Sequence, residues 1–535
     1  MKAAYCANGM QKPSGTLAAG GRAERSAPRL AALTPQWRLS RTARASSGLS
    51  ACTVRSGLGS GRAALGGGAV GTLPAHDPWG LWVPHGTAVT AAGYVLAYAG
   101  LTTLVVAWWL YGGTGAGVRH TLVTLLWWTV PFVLAPPLYS ADVYSYLAQG
   151  AMVLEGHDVY SVGPSVLDPA GPGGDAAASV GGHWTDTPAP YGPFFLLLAR
   201  AAAWATGGTI VPGVLVLRLV ALGALALIAW ALLRLAREHG RDGSAALWLG
   251  ALNPLLLMHV VGGVHNDGLM AGLMLAGAVF ALRGRWITGS VLIGLAMMVK
   301  SPAAVALLFV GVVVGRAATG PTARRVAKGL LGPGAVAGAV VLLVTLVGGT
   351  GFGWLGTQGV AGRIHTALSV GSDLGLGLGH LGRLLFGTDP EPVTSAVQNL
   401  GLAAALVLIA LLAWRSAAGR VPPVHALGLA LLALVALSPM VQPWYLLWGA
   451  VVLAATAGGG RARNAVVVLS AALVYETQPS GSTPAYGFVL AGLTCVLGVV
   501  LLRRTAADPG GLPAEDPDTE ADTGADRAAG SRAGA

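Results

Sequence analysis

Apolar residues occupy long blocks along this chain, separated by short polar connectors. Thirteen blocks reach or approach the ~20 residues a helix needs to cross a ~30 Å hydrocarbon core. They are residues 87–111, 120–137, 212–236, 244–262, 267–283, 286–299, 302–316, 329–348, 398–414, 423–439, 446–459, 464–478 and 485–502. Neighbours as short as 286–299 and 302–316 are expected as tilted or broken helices. The pattern predicts an all-α polytopic membrane protein, with one helical membrane domain over residues 81–505.

Composition agrees. Charged residues make up 10% of the 535 positions and hydrophobic ones 54%, against about a quarter charged in soluble proteins. The 80 glycines suit close helix packing in lipid. A net charge of +11 invites a nucleic-acid partner, but its placement argues against one. Ten of the 33 Lys and Arg fall in residues 1–62, and most others lie in connectors between apolar blocks, which is a topology signal. Cys6, Cys52 and Cys495 are scattered without metal or redox spacing. Residues 1–80 read as a basic, low-complexity segment that resembles neither a signal peptide nor a domain, and residues 506–535 as an acidic, disordered tail.

The basic connectors alternate. Arg119, then Arg234 with Arg237 and Arg241, Arg283 with Arg285, Arg316 with Arg324, Arg325 and Lys328, Arg415 with Arg420, Arg461 with Arg463, and Arg503 with Arg504 can all share one face. The positive-inside rule makes that face cytoplasmic. The opposite face then carries the large first loop, 138–211, whose residues 138–199 hold six acids and no Lys or Arg until Arg200. Its apolar stretch 194–206 is expected to lie against the outer interface, since a crossing there would swap every later loop. An odd number of spans leaves the basic N-terminus on the wrong side; a weak extra span near 50–75 or a misassigned start would remove the conflict.

Four features gather on the outer face. Asp142 follows Pro136-Pro137 among tyrosines; a carboxylate there can serve as a general base or cap the next helix. Residues 184–193 bring Tyr191 into a segment of prolines and aromatics that also suits interfacial anchoring. His265-Asn266-Asp267 occupies an outer turn, with Asp267 either a second site acid or an N-cap. Arg218, Lys300, Arg363 and His365 collect near the outer boundary. Charges within spans usually face a partner, and a lipid phosphate headgroup would suit these cations. No Walker motif or βαβ glycine fingerprint accompanies them, so an outer site calls for a donor activated through the membrane, such as a lipid-linked phosphosugar.

At these residues the chain resembles the actinobacterial polyprenol-phosphate-mannose-dependent α-(1→6)-mannosyltransferases of the GT-C superfamily. The resemblance rests on Ala135-Pro136-Pro137-Leu138-Tyr139-Ser140 leading to Asp142-Val143-Tyr144-Ser145-Tyr146, on Thr187-Pro188-Ala189-Pro190-Tyr191-Gly192-Pro193, and on Asn253-Pro254 with His265-Asn266. Val299-Lys300, Gly351-Phe352-Gly353-Trp354 and Val441-Gln442-Pro443-Trp444-Tyr445-Leu446-Leu447-Trp448 complete it. It implies a GT-C fold and mannose transfer from a polyprenyl-phosphate-mannose donor to a glycolipid or oligomannoside acceptor, by one inverting displacement with no cofactor and no metal. Asp142 matches the catalytic acid and Asp267 the second acidic position, where the family often carries Glu. Lys300, Arg218 and Arg363 would hold the phosphate, with Tyr191, His265, Asn266, Gln442 and Trp444 as further substrate contacts. A GT-C enzyme for another polyprenyl-linked sugar or for a protein acceptor remains open, as does a lipid-linked sugar transporter or flippase.

Overall fold

The computed structural model describes residues 57–507, apart from residues 183, 364 and 365. Residues 508–535 of the acidic tail and residues 1–56 of the basic segment lie outside the described residues. Those described form helices and turns without a strand. In chain order the principal helices are α1 (residues 57–70), α2 (Thr87–Tyr111), α3 (Val118–Leu134), α4 (Asp142–Leu154), α5 (Pro193–Thr206) and α6 (Ile210–Glu238). There follow a broken α7 (Gly243–Leu249 and Pro254–Gly262), α8 (Asp267–Leu282), α9 (Trp286–Met297), α10 (Ala304–Ala317) and α11 (Thr322–Gly348). The remainder are α12 (Val370–Phe386), α13 (Pro390–Ala417), α14 (Pro423–Ala436), α15 (Leu446–Thr456), α16 (Arg461–Leu473) and α17 (Ala485–Ala507).

Every apolar block is thus helical, and so is the interfacial stretch, as α5. Length is another matter. By size and hydropathy, α2, α6, α11, α13 and α17 qualify to cross a membrane, and α7 adds a sixth if its halves, bent by 51°, count as one. Thirteen crossings are more than length alone supports. Several other blocks are short because the chain leaves the helix near their ends, between Gly250 and Asn253, between Met298 and Ser301, and between Leu437 and Gln442. A broken helix in lipid must satisfy its loosened backbone locally. At the first break, Asn253 does so: its Oδ1 accepts from Leu255 N–H (3.0 Å), and its Nδ2 donates to Leu249 O (3.2 Å) and to Ser470 Oγ on α16 (2.8 Å).

The region near 50–75, read as a poor span inside a low-complexity segment, contains α1, and α1 is tightly packed. A Cβ on Gly66 would fall 2.3 Å from Ala97 N and 2.5 Å from Gly93 O, and one on Gly100 would fall 2.3 Å from Ala63 N. Backbones meet here because small residues face each other at helical spacing, Gly59, Ala63 and Gly66 against Gly93, Ala97 and Gly100, which is how helices gain contact in lipid. Arg62, whose backbone belongs to this contact, keeps its side chain exposed at its edge. The basic residue that made this segment look unsuited to a membrane therefore costs the packing nothing. Farther along α2, Trp108 and Trp248 stack at 5.2 Å and exchange indole hydrogen bonds, each Nε1 donating to the other's carbonyl (2.9 and 2.7 Å). This pair ties α2 to the first half of α7.

Candidate active site

Two helix N-termini and one helix break converge at one end of the bundle. Pro136 and Pro137 follow α3, since proline lacks the N–H that would continue a helix. Tyr139 then turns through a left-handed φ of 67°, a conformation uncommon outside glycine, with its N–H donating to Pro479 O (2.8 Å). The turn delivers Asp142 to the first position of α4, where its N–H donates to Ser140 Oγ (3.0 Å). Asp267 opens α8 in the same way. Neither acid is an N-cap: the cap positions are Ala141 and Asn266, and neither supplies a side-chain bond. Both carboxylates sit one residue inside, where the helix dipole favours them and the side chain is free to reach across.

Asp267 is 2% exposed and fully engaged. Its Oδ2 accepts from Lys300 Nζ at 2.7 Å and its Oδ1 from Trp448 Nε1 at 2.8 Å. Lys300 lies in the extended break between α9 and α10. Its ammonium stands 5.7 Å from the Tyr191 ring centre and 5.2 Å from that of Tyr445, both within cation–π range. Gly192 makes this approach possible: a Cβ there would fall 2.5 Å from Met298 O. Its N–H and that of Phe195 donate to the carbonyls of Val299 (3.4 Å) and Met298 (3.2 Å). The Tyr191-Gly192-Pro193 motif is therefore a docking surface for the Lys300 break.

Asp142 is paired from the other side. His265 Nδ1 stands 3.3 Å from its Oδ2, an ion-pair distance whose angle falls short of a good hydrogen bond. The His265 ring is stacked on Trp444 at 3.9 Å, with His259 behind both. Burial by itself would raise the Asp142 carboxyl. The neighbouring His265, Lys300 and Ser140 outweigh it and hold the group below the ordinary aspartate value of 3.8. A carboxylate in this state is a proton acceptor at neutral pH.

Asp142 and the Lys300 cation border a cavity of about 600 Å³. At its polar end are Asp142, Tyr191, Lys300, Gln442 and Trp444, joined by Trp184, Gln398 and Asn399; away from them Val305, Leu402, Leu406, Ile409 and Leu434 make an apolar arm between α10, α13 and α14. Five of the predicted residues thus line one space, while His265 and Asp267 hold its acid and its cation from behind. Asn266 is buried against a separate small hollow with Tyr146 and Phe195. Arg218 is a correction. Its guanidinium is 1% exposed and donates to Val133 O (2.8 Å), Ala135 O (2.7 Å) and Gly262 O (3.3 Å), tying the end of α3 to the end of α7. These carbonyls lie where helices leave acceptors unpaired, so this arginine is a structural clamp and does not reach the cavity. Arg363 closes a 3-10 segment, Gly353–Arg363, but its side chain and all of His365 lie outside the described residues.

Sequence reasoning passed over Tyr445, Trp448, Gln398 and Asn399 as site residues. Trp444 and Trp448 are four apart and Tyr445 stacks on Trp448 at 4.2 Å, a spacing that a buried core uses equally often. The signal for Gln398 and Asn399 was two adjacent amides at the outer end of an apolar block. The loop's other acids are occupied elsewhere. Asp158 accepts from Tyr160 N–H and Ser161 Oγ, Asp168 from Ala170 N–H and Asp186 from Ser165 Oγ, while Glu155 and Asp175 face His157 and His76. Among the described residues no three His, Cys, Asp or Glu side chains gather to hold a metal.

Two family models cover most of the chain, one described as the alpha-(1->6)-mannopyranosyltransferase N-terminal domain over residues 54–316, and the other as the MptB C-terminal domain over residues 371–505. A protein of Mycolicibacterium smegmatis named a probable alpha-(1->6)-mannopyranosyltransferase is 36% identical over 476 residues, covering 80% of this chain and 84% of that protein. The alpha-(1->6)-mannopyranosyltransferase A of Mycobacterium tuberculosis is 33% identical, with 84% of this chain and 89% of the relative covered. The alpha-(1->6)-mannopyranosyltransferase B of Corynebacterium glutamicum is 35% identical, over 66% of this chain and 62% of the relative. No solved structure matches. The chain belongs to the alpha-(1->6)-mannopyranosyltransferase family and is a membrane glycosyltransferase.

Proposed function

We infer that this enzyme transfers mannose from polyprenyl-phosphate-mannose to the 6-hydroxyl of an α-(1→6)-mannan-type glycolipid on the extracytoplasmic face of the plasma membrane, on a GT-C fold. The observation that carries the reading is the two-ended cavity: an ionised carboxylate and an ammonium at one end, an apolar arm at the other. An amphiphile with a charged head and a long hydrocarbon tail meets both ends. Phosphate held at Lys300 would set the anomeric carbon towards Asp142, while the tail lies between α10, α13 and α14.

The reaction is a single displacement. The acceptor hydroxyl loses its proton to Asp142 as its oxygen bonds the anomeric carbon, and the bond from that carbon to the phosphate oxygen breaks. A β-linked donor gives an α-linked product, and polyprenyl phosphate leaves with the bonding pair. Lys300 has three N–H donors and spends one on Asp267, so two remain for the departing phosphate. Stabilising this growing charge with a fixed cation is the main electrostatic task, and no cofactor enters the scheme. The test is an assay of purified protein with polyprenyl-phosphate-mannose and a short α-(1→6)-mannoside, followed by linkage analysis. A new α-(1→6) bond supports the reading; transfer from a pentose donor alone, or to a peptide alone, refutes it.

Orientation rests on the alternating basic connectors. With α1 taken as a further crossing, the basic N-terminus joins the other clusters on the cytoplasmic face. In a background without native cysteines, an impermeant thiol reagent on intact cells should modify a cysteine placed at the exposed Ala170 and spare one at the exposed Thr322. The reverse pattern would turn the site to the cytoplasm.

Asp142→Asn preserves shape and removes the base. Turnover should fall by roughly a hundredfold or more, within the 10²–10⁴ range of general-base assistance. Turnover within about threefold of wild type would pass the role to another group.

Because the Asp142 carboxyl is held below 3.8, its base form persists as pH falls, and the acid limb of kcat/KM should lie below the usual aspartate range. His265→Phe keeps a ring on Trp444 but removes the largest influence opposing burial. The limb should then move to higher pH, and an unmoved limb would show that His265 does not tune the base.

A further inference from the structure

Two of the helices that wall the apolar arm of the active-site cavity, α10 and α13, shape a second cleft at their opposite end. It has a volume of about 330 Å³ and lies between α10, α11 and α13. The first two helices touch through backbone: a Cβ on Gly311 would fall 2.5 Å from Gly329 O, and one on Gly315 would fall 3.1 Å from Arg325 O. Without side chains at these points the contact is narrow, and Leu308, Val312, Leu330 and Trp414 flank an open apolar slot, with Leu330 and Trp414 more than half exposed. Its mouth is cationic. Arg316 and Arg325 line it, each donating to one backbone carbonyl, Ser416 O at 3.5 Å and Gly315 O at 3.2 Å.

The charge around the mouth is of one sign. Residues 316–328 and 415–420 contain Arg316, Arg324, Arg325, Lys328, Arg415 and Arg420 and no acid. Among the described residues none of these six has an ion-pair partner. Two ligands fit one half of this description each. A free phosphate matches the arginines and has no use for the slot; the chain's own acidic tail matches the charge but brings only one large apolar residue, Leu512, among its Asp, Glu, Gly, Pro and Ala. An anionic phospholipid matches both halves, with its phosphate on Arg316 and Arg325 and an acyl chain along Leu308, Leu330 and Trp414. Basic hollows between membrane helices on the face rich in Lys and Arg take lipid headgroups in this manner.

We propose that the α10–α11–α13 cleft is a binding site for an anionic phospholipid of the leaflet opposite the active site. It would hold together helices that also shape the donor arm, since Ile409 lines the active-site cavity and Ala413, one turn along α13, lines this cleft.

The test measures binding and thermal stability of the full-length protein in neutral detergent micelles titrated with phosphatidylglycerol, phosphatidylcholine or glycerol 3-phosphate. Phosphatidylglycerol alone should bind and stabilise. The Arg316→Gln/Arg325→Gln variant should bind it about thirtyfold more weakly, given the attraction expected of two arginines near an anionic head. Arg503→Gln/Arg504→Gln, which removes the same charge elsewhere on the basic face, should bind as wild type does. Equal weakening in both variants, or equal stabilisation by phosphatidylcholine, would overturn the site; a response to glycerol 3-phosphate alone would make it a phosphate site only. If truncation after Ala506 abolishes the difference between wild type and the Arg316/Arg325 variant, the mouth serves the tail and the proposal fails. Should the double variant not fold, a photoactivatable phosphatidylglycerol on the wild-type protein decides: adducts within 308–330 and 413–417 support the cleft, and adducts elsewhere alone refute it.

Discussion

The site hangs on the ion pair between Lys300 and Asp267. Each belongs to a helix end in an apolar bundle, and an ammonium or carboxylate left alone there is severely destabilising; removing one partner of a buried pair typically costs ~3–5 kcal/mol. The pair therefore fixes the break between α9 and α10 against the start of α8, and Trp448 pins the same carboxylate from α15. Tyr191 and Tyr445 close over the ammonium, and Gly192 lets the Tyr191 segment come near enough to the break. What faces the cavity is a cation already neutralised once and still rich in donors. It can take an anionic headgroup without moving and survive its departure without becoming unpaired.

Asp142 is the counterpart, and the difference between the two acids is one of surroundings. Asp267 has both oxygens committed to fixed donors. Asp142 has an oxygen beside His265, a hydrogen bond from its own N–H to Ser140 that orients the turn, and a side-chain exposure of 18% towards the cavity. One carboxylate is a structural counter-ion and the other is left able to accept a proton. The two-ended cavity extends this division into the membrane, with charge at the mouth and hydrocarbon beyond.

Much of this was legible in the sequence for a simple reason: lipid permits few ways to hide a backbone, so apolar blocks become helices and charges between them report faces. Asp142, Tyr191, Lys300, Gln442 and Trp444, which line the cavity, each lie in a short motif beside a span end, and such motifs stand out in a sequence. Arg218 misled because a lone arginine in an apolar helix signals only that it has a partner. The partner turned out to be three carbonyls at frayed helix ends, and no one-dimensional pattern separates carbonyls from phosphate. The pairing of Lys300 with Asp267 was equally hidden, since it joins residues 33 apart across a helix break. The α1 contact is hidden by Arg62, whose charge dominates the local composition although its side chain stays exposed at the edge of the packed glycine face.

Donor binding distinguishes a base at Asp142 from a phosphate holder at Lys300 most directly. Equilibrium binding of polyprenyl-phosphate-mannose would be compared for wild type, Asp142→Asn, and a Lys300→Met/Asp267→Asn variant that leaves no uncompensated carboxylate. Asp142→Asn should bind as wild type does. The double variant should bind about tenfold more weakly or worse, as expected from losing charge-assisted hydrogen bonds of ~1.5–3 kcal/mol. Equal affinity in all three proteins would contradict the assignment of Lys300 to the phosphate.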